Sequence, residues 1–225
     1  PLHRSVIHEL PRYLVRLAAD AGKIIWQLPF MLFDRELPFL QQALAELYQA
    51  GFRNFELTNP GQLTLMRQYA GAVLSSGYRL FTLNHQALRV WQEHGIQRAT
   101  LYLEDDRENL MHLLALPARL AVIAYSPVEV MATRIKIKEM TSGALTSDRG
   151  DEYRLRGRDG FTHITAATPF SLIGHLAELR RSGARSFLID LSETPTTSRA
   201  AVLEAFRADR AIAGSTDFNY QRGLA

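Results

Sequence analysis

Cysteine is absent from all 225 residues of the sequence. This absence excludes disulfide bonds, thiolate nucleophiles, cysteine-bound zinc and cysteine-bound iron–sulfur clusters for the chain by itself. An excess of charge is nearly absent too, because the 26 Lys and Arg residues are almost balanced by 23 Asp and Glu residues, which gives a formal net charge of +3. So small an excess does not by itself indicate a nucleic-acid-binding surface.

Long apolar runs are also missing. No stretch approaches the roughly 18 consecutive apolar residues of a membrane span, and no basic start followed by an apolar core marks a signal peptide. We therefore expect a cytoplasmic protein without membrane contact. The chain begins at Pro1 rather than at Met, which predicts that it is a piece of a longer protein.

Short apolar runs that end in polar residues and lead into helix-like segments recur along the chain. The central example is 97–106, Gln-Arg-Ala-Thr-Leu-Tyr-Leu-Glu-Asp-Asp, with its strand at 97–104. Further strands are predicted at 23–28, 54–59, 78–84, 119–125 and 186–192. This alternation predicts an α/β fold with parallel strands, and the length fits a single domain over residues 1–225.

The regular alternation stops between residues 127 and 167. Basic residues alternate with other residues in two ribbons, which are Arg134, Lys136 and Lys138, and Arg154, Arg156 and Arg158. Alternation with intervening turns predicts β-hairpins, so 127–167 is interpreted as a β-rich insertion. About six parallel-type strands are counted, whereas a closed eight-stranded barrel needs two more. Either the missing strands lie outside this chain, or the sheet is open.

In parallel α/β folds, functional residues collect at the carboxyl ends of the strands. The residues predicted there are Asn59, Asn84, Glu104, Asp105, Asp106, Tyr125 and Asp190. Glu104 is the candidate general acid or base, whereas Asp105 and Asp106 are favoured as helix caps. Asn59 and Asn84 either position a ligand through their amides or end their strands, and neither alternative is favoured.

Motifs of the common hydrolases and cofactor-binding proteins are missing. The sequence contains no HExxH, GxSxG, Walker or GxGxxG motif, and its seven histidines are scattered. No metal or other cofactor is therefore expected. The two basic ribbons carry the charge to contact RNA phosphates, although the acidic residues among them favour a solvated face.

Phrases in a fixed order resemble the carboxyl-terminal part of the collagenase-like peptidase family, whose members are peptidases of unassigned catalytic type. The phrases are 55–61 (Phe-Glu-Leu-Thr-Asn-Pro-Gly), 78–84, 99–104, 125–134, 147–151, 168–172, 189–191 and 218–224. The resemblance spans residues 24–224.

The resemblance implies a parallel (β/α) barrel, here partial or open, and a peptidase that acts on peptides or proteins. In such a peptidase Glu104 would be catalytic, and Asn59, Asn84, Tyr125 and Arg134 would bind the substrate. An incomplete barrel also admits closure by a second copy of the chain.

Other members of this family hydroxylate RNA bases or quinone precursors and hold an iron–sulfur cluster through cysteines. This chain has Lys136 where the family commonly has one of these cysteines, so the cluster is not carried over. The alternative expectation is therefore a non-catalytic domain that has lost the cluster and binds RNA or a partner subunit.

Overall fold

A computed structural model describes residues 2–135 and 142–223. The chain falls into two compact units, Pro1–Tyr102 and Leu103–Ala225, which leaves the single-domain organisation a prediction. Within the described ranges, no helix has the length and apolar character to cross a membrane.

The first unit alternates helices with parallel strands. Its helices are α1 (Arg4–Leu17), α2 (Leu37–Gln49), α3 (Gln62–Met66) and α4 (His85–Glu93), and its strands are β1 (Ile25–Gln27), β2 (Asn54–Leu57), β3 (Val73–Ser76) and β4 (Ile96–Thr100). The four strands pair in chain order, and every pair is parallel. This arrangement confirms the α/β class and the parallel sheet that the sequence predicts.

One face of this sheet is buried under α2. Trp26 and Phe55 are in register on β1 and β2, so their side chains share a face. They belong to one hydrophobic core with Leu40, Leu44 and Leu47, which α2 presents at helical spacing. Full burial of each such side chain stabilises the fold by roughly 1.5–3 kcal/mol.

The strand predicted at 78–84 is wrong. The strand in this part of the chain is β3, and Tyr78–Leu80 forms a short 3₁₀ turn. Phe81 follows with a left-handed backbone at φ 51°. The alternation in the sequence arises because Leu80 and Thr82 are buried while Phe81 is exposed, without any pairing to a neighbouring strand.

Over its described residues, 103–135 and 142–223, the second unit holds three helices and two groups of strands. The helices are α5 (Arg107–Leu114), α6 (Leu176–Arg181) and α7 (Thr196–Ala208). The strands are β5 (Leu120–Ser126), β6 (Glu129–Thr133), β7 (Ser142–Thr146), β8 (Glu152–Arg158), β9 (Phe161–Ala166), β10 (Phe170–Ser171) and β11 (Ser186–Ile189). β5 pairs in parallel with β11 and antiparallel with β10.

The remaining strands of this unit form a separate antiparallel sheet in the order β6-β9-β8-β7. This sheet confirms the hairpin-rich insertion that the sequence predicts. Lys136 and Lys138 of the first basic ribbon lie outside the described residues. A closed eight-stranded barrel is not shown by the strands of the described ranges.

Asp209, which follows α7, completes the first turn of α6. Its Oδ1 accepts hydrogen bonds from the backbone N–H groups of Gly174 at 2.9 Å and Leu176 at 3.0 Å, and its Oδ2 accepts one from Ala177 at 2.8 Å. Burial raises the pKa of Asp209, but these three hydrogen bonds outweigh it and the net pKa is lowered. The carboxylate thus satisfies donors that have no partner within their own helix.

Candidate functional site

The second face of the sheet in the first unit carries a buried carboxylate. Gln27, Glu56 and Ser75 are in register on β1, β2 and β3, so their side chains share this face, and we name them the polar row. Gln27 Nε2 donates a hydrogen bond to Glu56 Oε1 over 2.6 Å. Glu56 is only 9% exposed, and a buried carboxylate needs such donors. The Gln27 amide therefore helps to orient the Glu56 carboxylate.

Gly77 brings the chain that follows β3 against this carboxylate. The Gly77 N–H donates to the carbonyl oxygen of Leu57 over 2.7 Å. A Cβ at position 77 would lie 3.1 Å from Glu56 Oε1 and 3.2 Å from Thr58 Cγ2, both closer than ordinary van der Waals contact. Gly77 itself therefore lies directly against the Glu56 carboxylate, and Tyr78 is the next residue of the chain.

We expect Gly77→Ala to displace Glu56 or Thr58, because the new methyl group has no room. The free energy of unfolding should fall by about 1–3 kcal/mol, the usual cost of overpacking, as measured by urea denaturation. Gly22→Ala is the matched control, since no atom lies within 4 Å of a Cβ placed there. Equal stability of the two variants would contradict the close approach at Gly77.

Four aromatic side chains and one arginine gather beyond the carboxyl ends of β1, β3 and β4. This aromatic cluster consists of Phe30, Tyr78, Arg79, Phe81 and Tyr102. Arg79 Cζ lies 4.5 Å from the ring centroid of Phe30 and 5.2 Å from that of Tyr78. The Tyr102 ring centroid lies 5.1 Å from that of Phe81 and 6.4 Å from that of Tyr78. The contacts therefore join all five side chains at the edge of the sheet where ligands of such folds bind.

The aromatic cluster is open to solvent. Phe81 is 53% exposed, Phe30 is also exposed, and the other three members are partly buried. Aromatic faces and a guanidinium plane attract flat or cationic groups. The cluster therefore offers exposed stacking surfaces at this edge of the sheet.

The two asparagines predicted in this unit serve local structure. Asn59 Oδ1 accepts a hydrogen bond from the Gly61 N–H at 2.9 Å, which closes a turn after β2. Asn84 Oδ1 accepts from the Ala87 N–H at 2.8 Å and caps α4. These contacts favour the structural alternative of the sequence analysis, and ligand binding by either amide stays a prediction.

The three acidic residues at 104–106 differ in their surroundings. Asp106 Oδ1 accepts from the Asn109 N–H at 2.8 Å, which confirms its predicted role as the cap of α5. Asp105 is 6% exposed, and its Oδ1 and Oδ2 accept from Asn109 Nδ2 at 2.9 Å and 2.8 Å. Burial raises the pKa of Asp105, although these hydrogen bonds oppose the effect. Glu104 is exposed, and its backbone carbonyl accepts from Asn219 Nδ2 at 3.0 Å.

Tyr125 and Arg134, the other predicted substrate-binding residues, lie in the second unit with Glu104. Tyr125 is buried on β5, and its carbonyl oxygen accepts from the Asp190 N–H at 2.8 Å. Asp190 Oδ1 in turn accepts from the Ser192 N–H at 2.8 Å in a local turn. Arg134 is exposed and follows β6. Substrate binding by Tyr125 or Arg134 stays a prediction.

A polar network holds the carboxyl-terminal segment in place. The Tyr220 hydroxyl donates to Glu178 Oε2 over 3.0 Å, and Arg107 Nε donates to Glu178 Oε1 over 2.9 Å. The hydrogen bond from Arg107 lowers the pKa of Glu178, whereas burial raises the pKa of Tyr220. The ring of His175 packs on that of Tyr220, with 4.9 Å between the centroids. These contacts give the network a structural role.

The second basic ribbon is partly neutralised. Arg156 Nη1 lies 2.5 Å from Glu193 Oε2, and Arg158 Nη1 lies 3.3 Å from Glu193 Oε1. Arg154 of the same ribbon is exposed. One carboxylate shared by two guanidinium groups reduces the charge that this ribbon presents to an RNA backbone.

The aromatic cluster and most of the polar row are not predicted by the sequence. The signal lies in Tyr78, Arg79 and Phe81, which follow Gly77 directly, but the pattern of this segment predicts a strand. Over the described ranges, no group of three or more histidine, aspartate or glutamate side chains is arranged to hold a metal ion.

Comparisons of the chain with models of protein families, with curated proteins and with solved structures find no match. The resemblance to the collagenase-like peptidase family therefore stays a prediction.

Proposed function

We propose that this chain is a non-catalytic binding domain that takes up single-stranded RNA at the aromatic cluster and the polar row. One observation carries the proposal: the half-exposed Phe81 ring lies against Tyr102, whose ring also neighbours that of Tyr78 under the guanidinium of Arg79. Single-stranded RNA is recognised by stacking of unpaired bases on aromatic rings and arginine planes, and by polar groups that bind the base edges.

Positive charge near the polar row supports the same proposal. Arg98 is exposed on β4 and is in register with Ser75, so it shares the face of the polar row. Arg79 and Arg98 add two guanidinium groups, and guanidinium groups bind phosphates well. The polar row lies at the carboxyl ends of its strands, which fits the partial (β/α) barrel that the family resemblance implies, since sites of such barrels lie at that end.

The test is fluorescence anisotropy of the purified chain with a labelled single-stranded RNA of mixed sequence and with the duplex of the same sequence. We expect tighter binding of the single strand, because bases in a duplex are already stacked. Affinity should fall with salt by a slope of about −0.7 for each phosphate contact. Absence of binding at low salt, or equal affinity for the duplex, would overturn the proposal.

A second candidate function is the peptidase activity that the family resemblance implies. The observation that favours it is Asp105, a buried carboxyl group whose raised pKa suits a proton donor, next to the exposed Glu104. In this proposal Glu104 takes a proton from the attacking water, and Asp105 gives one to the leaving amine.

Glu104→Gln tests the peptidase candidate in a gelatin and peptide hydrolysis assay. We expect turnover to fall by about 10²–10⁴-fold, the usual contribution of general acid–base catalysis. The melting temperature should stay unchanged, because Glu104 is exposed. Glu108→Gln, which alters an exposed carboxylate in the next helix, is the matched control. Equal turnover by both variants, or none by the wild type, would remove this candidate.

A further inference from the structure

The aromatic cluster extends along the edge of the sheet in the first unit. Phe30 follows β1, Tyr78 follows β3 and Tyr102 follows β4, and these strands pair side by side in chain order. Neighbouring strands lie about 4.8 Å apart, so the ends of β1 and β4 are separated by roughly 14 Å. The ring contacts run in the same direction, from Phe30 to Tyr102. The cluster is therefore a row of rings that crosses the strands.

Each end of this row carries an exposed ring that is held in place. Phe30 is 36% exposed at the β1 end, and Phe81, which lies against Tyr102, is 53% exposed at the β4 end. The Arg79 guanidinium contacts the ring of Phe30 at 4.5 Å. The backbone fixes Phe81, whose N–H donates a hydrogen bond to the Tyr78 carbonyl oxygen over 3.0 Å. Both rings are thus oriented before a ligand binds, which reduces the entropic cost of binding.

The spacing of the two ends is too wide for a single base. A base stacks on a ring at about 3.5–4.0 Å, so a base held between two rings needs them about 7–8 Å apart. The ends of the row exceed this spacing, since they follow strands that lie roughly 14 Å apart. Two bases of one strand can occupy the two ends together, as linked ligands that raise each other's effective concentration.

We infer that the aromatic cluster binds two unpaired bases of the same RNA strand at once, one on Phe30 and one on Phe81, with the strand running across β1 to β4. This inference rests on the proposed RNA binding. The ligand is then an unpaired segment of several nucleotides rather than a mononucleotide. A nucleotide advances about 3.4 Å along a stacked strand and roughly twice that along an extended one, so about three to five nucleotides span the row.

The experiment is a competition anisotropy titration of the whole chain, as wild type and as Phe30→Ala, with unlabelled uridine oligomers of increasing length that start from the mononucleotide. For oligomers that span the row, Phe30→Ala should weaken binding by roughly 5- to 150-fold, the contribution of one stacked base. Binding of the mononucleotide should weaken by at most about twofold, because this ligand keeps the more exposed ring of Phe81. The readout is the ratio of the two dissociation constants, since phosphate contacts also strengthen binding of longer oligomers.

Phe39→Ala is the matched control, because Phe39 is also exposed but lies on α2. Its dissociation constants should equal those of the wild type at every length. A ratio for Phe30→Ala that stays the same from the mononucleotide to the longest oligomer overturns the inference. Full affinity of Phe30→Ala for long oligomers, with an unchanged circular dichroism spectrum, overturns it as well. Absence of binding of every oligomer to the wild type overturns the proposed function instead.

Discussion

Phe81→Ala is expected to weaken binding of single-stranded RNA by roughly 5- to 150-fold, because stacking of one base on an aromatic ring is worth about 1–3 kcal/mol. The exposed ring of Phe81 contacts Tyr102 and contributes little to the core, so the variant should fold like the wild type. The backbone strain at φ 51° should also stay the same, because alanine carries a Cβ as phenylalanine does. The measurement is the dissociation constant from anisotropy, beside a circular dichroism spectrum of each protein.

Phe39→Ala is the control that distinguishes the loss of base stacking at Phe81 from the loss of an exposed aromatic ring in general. Phe39 is 54% exposed and Phe81 is 53% exposed, but Phe39 lies on α2, which covers the apolar face of the sheet. Affinity should stay unchanged in Phe39→Ala. Equal losses in both variants would mean that RNA adheres to apolar surface in general, and equal retention would exclude the aromatic cluster as the binding site.

Asp209→Ala should lower the free energy of unfolding by about 2 kcal/mol, the upper part of the range for loss of a helix cap. The reason is that Gly174, Leu176 and Ala177 would all lose the acceptor for their N–H groups. Urea denaturation followed by circular dichroism measures the change. Asp148→Ala, at an exposed turn of the same unit, should alter stability by about 0.5 kcal/mol or less.

The effect of Asp209 should depend on pH in a defined direction. Its pKa in the folded chain is lowered, whereas the carboxyl group in the unfolded chain has a pKa of about 3.9. The stability that Asp209 contributes is therefore fully present above that pH and is lost as the pH falls through the folded pKa. The stability difference between wild type and Asp209→Asn should shrink on acidification, and a difference that grows would contradict the hydrogen-bonded carboxylate.

The sequence predicted the α/β class and the hairpins because both follow from local periodicity. Placement of the site needed more than periodicity. The contact between Gln27 and Glu56 depends on the parallel register of β1 and β2, which lie on separate segments of the chain. No pattern within either segment reports that register.

The segment 78–84 shows how a true pattern led to a wrong prediction. Alternate burial is typical of a strand, but here Leu80 and Thr82 turn inward from a 3₁₀ turn and a loop. The pattern consequently predicts Asn84 at the end of a strand, whereas Asn84 caps α4. Asparagine is common at both kinds of position, so its identity alone does not separate them.

The position of Asp209 sets an order of events during synthesis. The N–H group of Gly174 and its acceptor on Asp209 are separated by 35 residues, and the ribosome makes the acceptor last. A nascent chain that ends before Asp209 leaves the first turn of α6 with donors that only water can satisfy. The cap of α6 is therefore completed only after the end of α7 has been made, so this contact is added late in synthesis.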